Sequence, residues 1–79
     1  MAEIKATLPE YERLLTDFIT ARNAAGLSQK KLADKININQ SIVGRIENKT
    51  SVPSVETFLK ILAGMGKTLA IVDMQDKSE

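Results

Sequence analysis

The sequence predicts a mostly α-helical domain of four to five short helices followed by one β-strand. Three observations carry that expectation. Apolar residues recur at helical spacing through most of positions 8–65. Gly, Asn and Pro interrupt the pattern at short intervals. The last apolar stretch, Lys67 to Asp73, is β-branched and contains no turn residue. The 79 residues make one domain, 1–79, near the lower end of independent stability. A chain of this size buries only about 60% of the surface its unfolded form exposes. Residues 1–6 and 74–79 show no clear period and are expected to be flexible ends.

The first helix is expected from about Leu8 to Ala25. Thr7 and Glu10 have the spacing of a capping box, and Pro9 between them falls where a missing N–H is harmless. Tyr11, Leu14, Leu15, Phe18 and Ile19 form one apolar stripe, and Gly26 stops the helix. Arg22 follows that stripe by the same step and so points inward. Either it meets a carboxylate, for which Glu47 is the best placed, or its stem lies on apolar surface and its head reaches water.

Ser28 to Lys49 organises the rest. Leu32, Ala33 and Ile36 have helical spacing, as do Val43 and Ile46, with Ile38 between the two sets. Ser28 and Asn39 stand at the expected N-caps, and Asn37 sits where the turn needs a residue tolerant of positive φ. Two short helices joined by a tight turn leave Gln40, Ser41, Gly44 and Arg45 exposed on the second. This is a helix-turn-helix arrangement suited to double-stranded DNA. Charge agrees: residues 27–53 hold five basic and two acidic groups, whereas each flanking segment holds three basic and four acidic. Positive charge concentrated on the motif is what phosphate contact requires.

Lys49 to Pro53 reads as a polar loop. Ser54 should cap a fourth helix whose stripe is Val55, Phe58, Leu59, Leu62 and Met65. Ile61 lies off that stripe, which points to a second contact, with another subunit. Gly64 and Gly66 end the helix. The strand over 67–73 has no partner in so helical a chain, and a lone edge is a liability. Antiparallel pairing with a second copy resolves this, making Ile61, Met65, Leu69, Ala70, Ile71 and Val72 the dimerisation residues. The competing arrangement folds this segment back along its own helices. A two-fold dimer would read an inverted repeat, a palindromic operator.

Catalysis has no candidate. The sequence contains neither Cys nor His, which removes thiol and imidazole chemistry and nearly every zinc site. Gly64-Met-Gly-Lys-Thr68 imitates the end of a phosphate-binding loop. It lacks the Gly five residues before Gly66, where Ile61 stands, and it leads from helix to strand instead of the reverse. No metal, cofactor or catalytic residue is expected. No apolar run approaches the ~18–20 residues of a membrane span, there is no signal-peptide pattern, and the missing Cys suits the cytoplasm.

The stretch GLSQKKLADKININQSIVGRIENK, continued by PSVETFLKILAGMG, resembles the lambda-repressor-like, XRE-type helix-turn-helix family over roughly residues 19–66. The resemblance implies that Arg22 and Glu47 form an internal ion pair. It implies that Gln29 touches a phosphate and steadies Gln40, and that Gln40 and Ser41 read bases, Gln being suited to adenine. Asn39, Gly44 and Arg45 complete the expected DNA face. Asn37 replaces a usual turn Gly. Lys49 replaces the Gly that commonly follows Glu-Asn, which adds a phosphate candidate. The ending Met65-Gly-Lys-Thr-Leu-Ala-Ile-Val72 is similar to HigA-type and HipB-type antitoxins. That similarity implies a homodimer that represses its own operon and binds a cognate toxin. The alternative is a plain XRE-type repressor with no toxin partner.

Overall fold

The computed structural model describes residues 8–74, which contain four helices: α1 (Pro9–Ala24), α2 (Gln29–Lys35), α3 (Gln40–Glu47) and α4 (Val55–Ala63). Pro9 opens α1, where its fixed φ suits the first turn. The hydroxyls of Ser28 and Ser54 accept the backbone N–H of Lys31 and Thr57 at 3.0 and 3.1 Å, capping α2 and α4. Two caps differ from expectation. Leu8 holds the N-cap of α1 without a side-chain bond, which takes Glu10 out of capping-box register; Thr7 lies outside the described residues. Asn39 is the N-cap of α3, but its side chain makes no capping bond, so its exposed amide is not spent on the helix.

All four helices stop in the same way. The backbone turns left-handed at Gly26, Asn37, Lys49 and Gly66, with φ of 74, 61, 65 and 74°. The next N–H then reaches back five residues: Leu27 to Arg22, Ile38 to Ala33, Thr50 to Arg45 and Lys67 to Leu62, at 2.9–3.1 Å. These bonds satisfy carbonyls that a helix end otherwise leaves open. Gly adopts this conformation freely and Asn tolerates it, whereas Lys49 holds it under steric strain.

The core takes Leu15 and Phe18 from α1, Leu32 and Ala33 from α2, Val43 and Ile46 from α3, and Phe58, Ile61 and Leu62 from α4. Phe18 and Phe58 meet edge to face, centroids 5.6 Å apart, which ties α1 to α4. Here the sequence expectation fails at two positions. Ile61 is 1% exposed and belongs to the chain's own core, so it is not a dimer contact, while Val55 is 68% exposed. The inward face of α4 runs Phe58, Ile61, Leu62 and Met65. Gly64 explains the rotation. A Cβ there would lie 2.6 Å from Ile36 Cγ2 and 3.1 Å from Leu32 Cδ1. The end of α4 thus presses directly on α2 and turns the Ile61 side inward.

The expected strand over 67–73 is not formed: residues 67–74 contain no strand. A ladder needs a second strand to bond with, and none exists among the described residues. Leu69 instead packs against the core. With Lys67 and Thr68 it borders a cavity of about 320 Å³ whose other walls include Leu14, Phe18 and Leu62. Beyond Leu69 the chain leaves the domain. Ile71, Val72 and Met74 are 101, 78 and 82% exposed.

Candidate nucleic-acid interface

The site is built outward from a buried ion pair. Arg22, near the end of α1, donates from Nε to Glu47 Oε2 at 2.7 Å and from Nη2 to Glu47 Oε1 at 3.0 Å. Its Nη1 donates to the Leu27 carbonyl at 2.8 Å. The pair is two-pronged, and the side chains are only 10% and 6% exposed. It locks the end of α1 and the turn after it to the last residue of α3. Charges so shielded from water require this degree of hydrogen bonding to be tolerated at all.

From Glu47 a chain of amides leads to the surface. Gln29, first residue of α2, donates its Nε2 to Glu47 Oε1 at 2.9 Å, and Gln40 donates its Nε2 to Gln29 Oε1 at 3.3 Å. The polarity of this chain follows from its inner end. A carboxylate can only accept, so Gln29 must turn its NH2 inward and its carbonyl outward. Gln40 must then spend one N–H on that carbonyl. It keeps a second N–H and its own carbonyl, the donor and acceptor that the major-groove edge of adenine matches. Gly44 makes room for the chain, since a Cβ there would lie 3.3 Å from Gln29 Oε1.

Gln40 opens α3, and Asn39, Ser41 and Arg45 stand exposed around it. Ser41 and Arg45, four residues apart, share one side of the helix. The structure therefore brings Arg22, Gln29, Gln40, Gly44 and Glu47 into one constellation, with Asn39, Ser41 and Arg45 at its surface. It does not bring Lys49 there: its Nζ lies 2.8 Å from Glu12 Oε1 of α1, and both side chains are about half exposed. No local spacing announces that pair, which joins residues 37 positions apart. The Lys30–Asp34 pair, 2.9 Å, was readable from its i, i+4 spacing. Burial pushes the Tyr11 phenol above its usual pKa, but Tyr11 belongs to α1 and not to this constellation. Among the described residues no group of three or more acidic side chains is placed to hold a metal ion, and no helix is long and apolar enough to cross a membrane.

The family described as Helix-turn-helix matches residues 19–72. A protein named as an uncharacterized HTH-type transcriptional regulator of Haemophilus influenzae is 42% identical over 65 residues, 82% of this chain and 66% of that protein. Antitoxin HipB of Escherichia coli is 33% identical over 57 residues, 72% of this chain and 61% of HipB. The chain thus spans less than two thirds of the length of either relative. A solved structure described as a toxin–antitoxin module from Streptococcus pneumoniae superposes with a TM-score of 0.67 at 38% identity, covering 84% of this chain and 72% of that one.

Proposed function

This chain belongs to the XRE-type helix-turn-helix family of DNA-binding transcriptional regulators, and we propose that it is a dimeric repressor of its own operon and the antitoxin of a toxin encoded beside it. One observation carries the DNA-reading part: Gln40 is held at the exposed start of α3 by an amide chain anchored in a buried ion pair. Gln40 and Ser41 read bases. Asn39 and Arg45 hold phosphates, Gln29 adds the second N–H of its amide, and Lys49 exchanges its half-exposed bond to Glu12 for a phosphate oxygen; Gly44 lets the duplex and Gln29 come close to α3. The similarity to HipB and to the pneumococcal module supports the antitoxin part. Dimerisation through 69–72 on a palindromic operator supplies the specificity that one short helix lacks.

Selection from a random DNA pool followed by fluorescence anisotropy tests the reading. An inverted repeat should emerge. Gln40→Ala should cost about 1–3 kcal/mol on it and relax the preference at one base pair of each half-site. Equal loss on matched and scrambled duplexes would sink the base-reading role. A repressor without a toxin is the second reading: the H. influenzae relative, at the higher identity, is named a transcriptional regulator and not an antitoxin. The product of the adjacent reading frame decides between the two. An antitoxin should co-purify with it and relieve its inhibition of growth.

A further inference from the structure

We propose that Lys67–Asp73 pairs with its own copy in one register, centred on Ala70, with Lys67 opposite Asp73 of the second chain. This rests on the dimer reading above and specifies it. Three observations meet here. Leu69 is docked on the core beside an apolar cavity that Leu14, Phe18 and Leu62 border. The residues that follow are exposed and apolar, Ile71 fully so. Lys67 and Asp73 are the charged ends of this run, and neither takes part in the ion pairs among the described residues.

Symmetry restricts the pairing. A two-fold axis that sets two identical strands antiparallel stands perpendicular to their sheet and carries each side chain to the same face. Opposed residues must point to one face, so their numbers have an even sum and the axis passes at a residue. Within the apolar run that residue is Leu69, Ala70, Ile71 or Val72. An axis at Leu69 sets Lys67 against Ile71. An axis at Ile71 sets Asp73 against Leu69, a charge against a side chain already on the core. An axis at Val72 sets Asp73 against Ile71, a charge against an apolar side chain. Only an axis at Ala70 opposes Lys67 to Asp73, Thr68 to Val72 and Leu69 to Ile71, so that charge meets charge and apolar meets apolar. Alternation puts Ile71 on the face of Leu69. The second copy's Ile71 then lies beside Leu69, over the cavity, while its Ala70 is small enough to meet its twin at the axis.

Sedimentation equilibrium of the full chain at low salt tests this. Lys67→Glu and Asp73→Lys should each weaken the dimer by roughly tenfold, because each creates two like-charge pairs. The double variant, with charges exchanged, should return to within about twofold of the unaltered chain. Under mild oxidation Ala70→Cys should form a disulfide-linked dimer, since opposed Cα atoms lie about 4.5–5.5 Å apart, within disulfide reach. Thr68→Cys should not, since its twin would lie four residues further along the second strand, about 14 Å away. If the single variants are neutral, if the double stays as weak as they are, or if Thr68→Cys links and Ala70→Cys does not, the register is wrong although the dimer stands. If the unaltered chain sediments as a monomer, the dimer reading itself falls.

Discussion

Glu47 accepts three hydrogen bonds with a side chain only 6% exposed, and that shielding decides what its loss does. Glu47→Ala would leave the Arg22 guanidinium buried with only the Leu27 carbonyl. Breaking one side of such a pair costs about 3–5 kcal/mol, a large part of the ~5–15 kcal/mol that holds a small domain folded. Thermal melting followed by circular dichroism should show a large fall in Tm. An unchanged melt with DNA binding selectively lost would contradict the structural role. Lys49 is the opposite case. Its left-handed backbone costs about 1–2 kcal/mol, and its half-exposed bond to Glu12 returns at most about 1 kcal/mol. Lys49→Gly removes both terms and adds about 0.5–1 kcal/mol of chain entropy, so Tm should move little. Affinity for every duplex should fall alike, and the salt slope should shrink by about one. Specificity that changed with the substitution would count against a phosphate role.

Among the elements, α4 shows where local sequence stops being informative. The caps at Ser28 and Ser54 and the left-handed Asn37 follow from chemistry within a few residues, and so they are legible. So is the inward Arg22, from spacing alone, although naming Glu47 over solvent as its partner drew on the family resemblance. The rotation of α4 is not local. It is set by the approach of Gly64 to Ile36, and nothing in the spacing of Val55, Phe58 and Leu59 reports a neighbour 28 positions earlier. Lys49–Glu12 was hidden for the same reason. The segment 67–73 failed differently: β-branched composition signals a readiness to pair but cannot supply the second strand. Gly64→Ala tests the α4 contact. Crowding against Ile36 costs about 1–3 kcal/mol, and the gain from replacing Gly in a helical backbone returns about 0.5–1 kcal/mol. Tm should drop by roughly 4–8 °C for each net kcal/mol lost, while the affinity of the still-folded protein for DNA stays unchanged. A higher Tm would mean that α4 can slide away from α2.

For the whole molecule, the question is how so small a reading surface obtains specificity. Each good base contact discriminates by about 1–3 kcal/mol, and α3, eight residues long, offers few. Joining two copies makes the second half-site contact effectively intramolecular, so two modest affinities multiply. That gain exists only if the joint holds both copies of α3 about one helical turn of DNA apart, ~34–36 Å. In the dimer proposed above the joint must therefore be stiff, and a strand pair anchored at Leu69 on each core would be stiffer than a free tail. The position of Leu69 also says where to cut. Removing residues 70–79 leaves it packed on the core, so the helical circular dichroism should persist. The shortened chain should sediment as a monomer, and its affinity for the full palindrome should fall toward that for a single half-site, with half-site binding itself unaltered. If it remains a dimer and binds the palindrome as tightly as the intact chain, the two copies meet elsewhere, and the exposed Ile71 and Val72 face some other partner.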